Sequence, residues 1–381
     1  MCITNPLTSI YYVAQMRRGN GEQMEYRRLG KTELQVSALG IGALKYGSVT
    51  QETASEIVKA AHQNGINYID TARGYGESEI RLGHALKKLR LRDRFYLSSK
   101  IINRDFKQFQ QDFETILSNL QTDYLDILFI HDVSTRENWD KVRSNGILDY
   151  VQELRSKGRI RHIGVSTHDC GIGEEIIRTG IFEAAMLAYN PTNLEAEDTL
   201  FPLCAAMDLG VIVMKPLGGG VLSEERSRQM GFSVTAEECL KFAMSSPYVS
   251  TVIPGLDKAE YLNIALHAVN SYIDMTEENR RAVIAKVDIK VKNYCRGCGY
   301  CRPCPQGIPI PDVLKYWNRW EVFGGVDWSQ MHRITEEYTK EVPDSGTPDH
   351  CISCGACTKK CPFNLPIPKL MEAAAKNLRR Y

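Results

Sequence analysis

Between residues 36 and 254 the apolar positions alternate between two kinds of run. Short runs rich in β-branched and aromatic residues lie at 36–43, 66–71, 95–99, 124–131, 160–166, 183–189, 210–214 and 250–254. Between them, at 52–63, 78–88, 106–120, 147–157 and 236–244, apolar residues recur at helical spacing. Strands alternating with helices predict parallel βαβ units. Eight strands in one run fit a closed (β/α)8 TIM barrel better than an open doubly wound sheet. The fingerprint of an open dinucleotide-binding sheet, G-x-G-x-x-G after its first strand, is missing. Gly40 and Gly42 are present, but Lys45 stands at the third glycine position.

The pattern changes near residue 285. A charged helical run at 277–292 leads into a segment with helical stretches at 311–319, 328–338 and 368–380. The expected organisation is an N-terminal extension, 1–24, a barrel, 25–285, and a small helical domain, 286–381. The extension carries no pattern. Its apolar stretch, 10–14, is followed rather than preceded by Arg17 and Arg18, so a secretory signal is not expected. No run of ~18 apolar residues predicts a membrane span. The chain has 381 residues, 43% of them hydrophobic, which exceeds the ~250 residues of one α/β barrel and argues against disorder. A net charge of +1 gives no reason to expect nucleic acid or an anionic membrane as partner.

Eight of the 12 cysteines fall in the last domain. Cys2, Cys170, Cys204 and Cys239 are scattered and read as small core or surface residues. A reducing, cytoplasmic compartment is expected, and there clustered cysteines indicate metal before disulfides. The first cluster reads Cys295-x2-Cys298-x2-Cys301-x2-Cys304-Pro305 and the second Cys351-x2-Cys354-x2-Cys357-x3-Cys361-Pro362. Three cysteines at x2 spacing and a fourth before proline suit an iron–sulfur cluster. Zinc is the main alternative, but its sites usually pair two-cysteine knuckles, and each knuckle here holds three. Residues 304–314 align without gaps to 361–371, so the domain contains a repeat. In each half a Pro-x-Pro pair can open a helix. The arrangement resembles the helical ferredoxin modules of redox enzymes and implies two [4Fe–4S] clusters. In two-cluster ferredoxins the fourth cysteine ligates the other cluster. That implies Cys295, Cys298, Cys301 and Cys361 for one cluster, and Cys351, Cys354, Cys357 and Cys304 for the other. The x2 spacing before Cys304, where x3 is usual, departs from that pattern.

Barrel enzymes place their chemistry at the C-terminal ends of the strands. The second predicted strand ends at Asp70-Thr-Ala-Arg-Gly-Tyr75-Gly-Glu-Ser-Glu79, the third at Lys100, the fourth at His131. Each has a structural reading: a turn cap, a packed ring, a solvated ammonium, a satisfied rim imidazole. Together, at the ends of consecutive strands, the four converge on one rim.

Here the chain resembles the aldo-keto reductases, from about residue 26 to 266. The motif Asp-Thr-Ala-x-x-Tyr-Gly-x-Ser-Glu carries the resemblance. It implies reduction of aldehydes and ketones with NADPH or NADH, through Asp70, Tyr75, Lys100 and His131. Negative charge growing on a carbonyl oxygen needs a proton. A free tyrosine, with a pKa near 10, is a weak acid at neutral pH. Lys100 beside Tyr75 would favour the phenolate, Asp70 would hold Lys100, and His131 would align the carbonyl. The resemblance also implies cofactor contacts: Gly42 and Ala43 under the nicotinamide ribose, Ser166 at the carboxamide, and Pro216, Leu217, Gly218, Gly219 and Gly220 around the pyrophosphate. Glycines there let backbone N–H groups approach phosphate.

Several positions depart from the family. Thr167 stands where Asn is usual, Met186 where Gln is common, and Met214 where an aromatic ring often stacks. Tyr261 replaces an Arg that grips a 2′-phosphate, Ala265 replaces an Asn at adenine, and Lys258 is the nearby cation. The leading expectation is a reductase of a small-molecule carbonyl, or dehydrogenase of the alcohol, with a redox partner protein for its clusters. The competing one is a ferredoxin-type electron-transfer protein that uses the barrel as a docking or sensing scaffold. A structural zinc protein is the third. Loops 131–145 and 218–232, the second with Arg226 and Arg228, would set the substrate.

Overall fold

The first element is a hairpin, β1 (Tyr26–Arg28) antiparallel to β2 (Gln35–Ser37). Its backbone joins the N-terminal end of a later strand, with Lys31 N–H donating to Asp208 C=O at 2.7 Å. The computed structural model describes residues 24–220, 222, 224, 227, 233–291, 294, 295, 299, 301–323, 328–361 and 365–378. Cys2, Arg17, Arg18, Arg226, Arg228 and Cys298 lie outside the described residues. The chain divides into two compact units between Ile284 and Ala285.

The first unit is built on eight parallel strands: β3 (Ile41–Gly42), β4 (Tyr68–Asp70), β5 (Tyr96–Ile101), β6 (Leu125–Ile130), β7 (Ile160–Thr167), β8 (Ala184–Ala188), β9 (Gly210–Met214) and β10 (Thr251–Val252). Each pairs in parallel with its neighbour in sequence. The sheet closes on itself because Gly40 N–H donates to Val252 C=O, Val252 N–H to Ala38 C=O and Gly42 N–H to Pro254 C=O, each at 2.9 Å. This is the (β/α)8 fold expected from the alternating pattern. At the seam a Cβ on Gly42 would lie 2.7 Å from Ile253 O and 2.8 Å from Pro254 O, so only glycine lets the first and last strands meet. Tyr68, Ile127, Phe129, Ala184, Met186 and Ile212 fill the interior, and Leu29, Leu34 and Val36 of the hairpin pack against them.

The expected strand 36–43 is two strands with different partners. Ser37 ends the hairpin strand, because the Asn67 side chain takes its N–H at 2.7 Å while its hydroxyl turns onto Leu39 C=O at 2.7 Å. The expected loop 131–145 contains a helix, Arg136–Ser144, capped by the Thr135 hydroxyl. Only Trp139 and Val142 of this helix are buried, so its sequence shows almost no apolar face. Helices Phe106–Leu120 and Ala236–Met244 lie where helical spacing placed them. Among the described residues no helix is long and apolar enough to cross a membrane.

The second unit is helical. Helices Ile310–Phe323, Trp328–Glu341 and Ile367–Asn377 share a core of Val313, Leu314, Tyr316, Ile334, Tyr338, Leu370 and Met371. Cys301, Cys357 and Cys361 are part of that core, and Cys295, Cys304 and Cys351 pack against it. These six cysteines therefore lie at the inner face of the helices. Asn318 fastens the start of the first motif, donating to Cys295 C=O at 2.7 Å and accepting its N–H at 3.2 Å.

Candidate active site and cysteine centre

Parallel register sets the rim. Asp70 ends β4 opposite Ser98 of β5, and Lys100 lies two residues further along. Lys100 Nζ donates to Asp70 Oδ2 and, at 2.7 Å, to Thr71 C=O. Asp70 Oδ1 accepts the Ser98 hydroxyl at 2.8 Å, and Ser98 Oγ in turn accepts the Tyr68 hydroxyl at 2.8 Å. Asp70 and Lys100 are both buried. Burial pushes the Asp70 carboxyl up, opposed by the Lys100 ammonium and by Ser98. Burial also acts to lower Lys100, but Asp70 and Tyr75 outweigh it and hold the lysine above its ordinary value. The lysine is the charged centre of the group.

Tyr75 is half-buried, its ring centre 4.9 Å from Lys100 Nζ. His131 meets that ring edge-on, with centroids 6.0 Å apart at 83°. Burial, and then the Lys100 charge, push the His131 imidazole down to about 3. It is neutral at physiological pH, with one N–H to donate and no charge to lose. The structure thus brings Asp70, Tyr75, Lys100 and His131 together.

Sequence reasoning missed the layer beneath them. Glu79 is fully buried; it accepts the Ser99 hydroxyl at 2.8 Å and the Asn119 amide at 3.2 Å. Burial raises its pKa against those bonds. Arg73, in the loop between Asp70 and Tyr75, lies 3.6 Å from Glu79 and 3.8 Å from Asp112. Its N–H donates to Lys100 C=O at 3.0 Å. The signal was the Glu79 that closes the motif, but its partners come from β5 and helix Phe106–Leu120 and needed the fold to be seen.

The expected cofactor residues line the same rim. Ala43 N–H donates to Asp70 C=O at 2.9 Å, and Ala43 C=O accepts the Ser78 hydroxyl at 2.8 Å. Ser166 Oγ accepts the Asp132 N–H at 2.8 Å, which leaves its own proton to donate. Gly218, Gly219 and Gly220 follow Pro216 and Leu217 with φ of 57°, 70° and 104°, and a side chain at Gly219 or Gly220 would meet nothing. Three successive left-handed residues with open space suit an approaching phosphate. Other positions do less. Met186 is buried in the barrel interior, with Met214 packed against the same cluster. Ala265 is fully buried, and the Lys258 ammonium lies 5.4 Å from the Tyr261 ring.

In the second unit one pocket is lined by Cys304, Cys351, Cys354 and Cys357, with Cys301, and by the apolar Ile310 and Met371. Two cysteines of the first motif, Cys301 and Cys304, thus line one pocket with the first three of the second. Among the described residues no three His, Cys, Asp or Glu side chains gather closely enough to hold a single metal ion. Five thiols around one apolar pocket are a soft donor set of the kind that iron–sulfur clusters use. The donor set fits a cluster. Gly299 and Gly355, at equivalent places in the two motifs, take the same backbone, φ 77° and 73°.

The chain belongs to the aldo/keto reductase family, whose profile matches residues 38–235. Residues 294–365 match the 4Fe-4S dicluster domain. Uncharacterized oxidoreductase YqkF of Bacillus subtilis is 25% identical over 303 residues, covering 68% of this chain and 95% of that protein. L-galactose dehydrogenase of Arabidopsis thaliana is 31% identical over 220 residues, covering 53% of this chain and 68% of that protein. NADH-specific methylglyoxal reductase of Escherichia coli is 27% identical over 223 residues, covering 51% and 68%. The aldo-keto reductase of Bacillus halodurans, solved in its holo form, superposes with a TM-score of 0.60 at 24% identity. It covers 69% of this chain and 96% of its own length, a likeness of fold.

Proposed function

We propose that the barrel interconverts an aldehyde or ketone with its alcohol, with Tyr75 as general acid and base. The observation that carries this is the buried Lys100, bonded to Asp70 and set against Tyr75, with His131 edge-on to the same ring. NADPH or NADH, bound by Gly42, Ala43, Ser166 and residues 216–220, supplies or accepts the hydride. Reduction leaves negative charge on the substrate oxygen, and the Tyr75 hydroxyl delivers a proton there. Lys100 stabilises the phenolate left behind, while Asp70 keeps Lys100 charged and fixed. His131, neutral, donates an N–H to the same oxygen and aligns it. In oxidation Tyr75 takes the proton back. Glu79 and Arg73 hold the loop that presents Tyr75.

The second unit holds two [4Fe–4S] clusters in this reading, one on Cys351, Cys354, Cys357 and Cys304, the other on Cys295, Cys298, Cys301 and Cys361. The pocket lined by Cys304 with Cys351, Cys354 and Cys357, and by Cys301 as well, supports a mixing of the two motifs around one site. Such clusters supply one-electron transfer, which cannot replace the hydride chemistry of the barrel. Thiolate ligands of this kind suit the reducing cytoplasm. A second reading, an electron-transfer protein with the barrel as scaffold, draws support from Cys354, which is exposed.

The test is an anaerobic titration with NADH and then NADPH, with and without a panel of carbonyls, on the wild type and Tyr75→Phe. Nicotinamide oxidation that requires a carbonyl, and falls on the order of 10²–10⁴-fold in Tyr75→Phe, is expected. Cluster bleaching by nicotinamide without a carbonyl, unaltered in Tyr75→Phe, would give the second reading the lead.

A further inference from the structure

The cysteine pocket of the second unit opens beside an exposed loop. Ile352 shows 62% of its surface, and Cys354, two residues on, is exposed as well. A single exposed apolar residue is ordinary. What sets this one apart is its place at the rim of the pocket, on a stretch of chain that is basic in sequence. Ile352 and Pro368 both line that pocket. Lys369 follows Pro368, while Lys359 and Lys360 close the short helix Ala356–Lys360 that carries Cys357. All three lysines are exposed. Among the described residues Lys359 makes no ion pair, Lys369 lies within electrostatic reach of Glu372, which is itself bonded to Lys376, and Lys360 reaches only Arg302 C=O, at 3.5 Å. Arg302 itself is paired with Asp312 at 2.7 Å. The imbalance is built into the sequence. Residues 292–311 and 351–369, which hold all eight clustered cysteines, contain six Lys and Arg (Lys292, Arg296, Arg302, Lys359, Lys360, Lys369) and no Asp or Glu. Asp349, just before the second stretch, is the nearest acid in sequence to Ile352.

We propose that Ile352 and the lysines around it, Lys359, Lys360 and Lys369, form the docking surface for an acidic protein that carries one electron at a time. The inference rests on the reading that the second unit holds iron–sulfur clusters. An apolar centre inside a polar, charged rim is the anatomy of a specific interface. Redox encounters are small and brief, below ~1,200 Å², so one apolar contact and three lysines are enough to orient them. Like charges on one side select a partner with opposite charges, and the attraction speeds encounter more than it tightens the complex. The exposed Cys354 puts a ligand of the cluster at the surface, so a carrier seated on Ile352 needs no path through the core. The carrier gives up one electron to the cluster, and no bond or proton moves. A basic carrier is rejected by the same lysines.

The experiment uses the full chain, reconstituted anaerobically, with a reduced acidic [2Fe–2S] ferredoxin as probe and a basic cytochrome as the opposite-charge control. Stopped-flow absorption follows electron transfer over a range of salt, for the wild type, for Lys359→Glu/Lys360→Glu/Lys369→Glu and for Ile352→Ser. Iron content, visible absorption and reduction potential are measured on every protein. The expected result is a wild-type rate that falls steeply with salt. The charge-reversed variant should be slower by 10-fold or more with the salt dependence abolished, in keeping with the 10–10³-fold range of electrostatic steering. Its potential and iron content should be unchanged, and it should gain rate with the basic cytochrome. Ile352→Ser should slow transfer and keep the salt dependence. An unchanged rate in the charge-reversed variant overturns the proposal. So does a loss accounted for by a shifted reduction potential, which would mean that the lysines act on their own cluster. A wild type that takes up no iron on reconstitution defeats the cluster reading itself, a failure distinct from either.

Discussion

At the scale of residues, His131 is the group whose surroundings most change its chemistry. Burial and the Lys100 charge push its imidazole down to about 3, whereas the unfolded chain titrates near 6.5. Between those values the unfolded chain takes up a proton that the folded chain refuses. Stability is therefore lost as pH falls through that window and is fully present above it. Urea unfolding at pH 7 and pH 5 should show a loss on acidification that is roughly 2 kcal/mol smaller in His131→Gln than in the wild type. The imidazole should add no ionisation to the rate profile between those two pH values. Three of the four rim residues were legible in the sequence because Asp70, Lys100 and His131 stand at the ends of recognisable apolar runs, and Tyr75 because it lies in the motif that follows Asp70. Their supports were not. Ser98 and Tyr68 reach Asp70 only through the β4–β5 register, and Glu79 meets Ser99, Asn119 and Arg73 from three different elements.

At the scale of elements, legibility followed the apolar pattern. Helix Phe106–Leu120 shows Phe109, Phe113, Ile116, Leu117 and Leu120 on one buried face and was placed to the residue. Helix Arg136–Ser144 buries only two residues, and its sequence reads as a loop. The apolar run 36–43 looked like one strand because hydropathy does not say which neighbour a strand pairs with. Its halves serve the hairpin and the barrel seam. That seam sets a strict demand on Gly42, where a methyl group would press on two carbonyl oxygens. Gly42→Ala should cost about 1–3 kcal/mol, as overpacked sites do, and lower the melting temperature of the barrel by several degrees. A thermal melt followed by near-ultraviolet circular dichroism checks this. An unchanged midpoint would mean that the seam yields without strain.

At the scale of the whole molecule, the alternation of strands and helices foretold the barrel, and the doubled cysteine motif foretold a second kind of unit. The helical core of that unit, and how deeply its cysteines sit, came only from the fold. Cys301, Cys357 and Cys361 belong to the core itself, so a cluster held there would also be a packing element. Removing iron by anaerobic chelation after mild oxidation should lower the melting of the second unit and leave the barrel transition in place. Calorimetry before and after treatment reads the two separately. The barrel also has a mechanical side. Its strands β3 and β10 are two residues long, while β6 and β7, on the far wall, run to six and eight. A ring built this way resembles a split hoop, its shortest strands meeting at one joint. Gly42 and Ala43 form one lip of the joint, next to Asp70. A molecule wedged on the rim there would act as a clasp, so the loaded barrel is expected to ring at a higher pitch than the empty one.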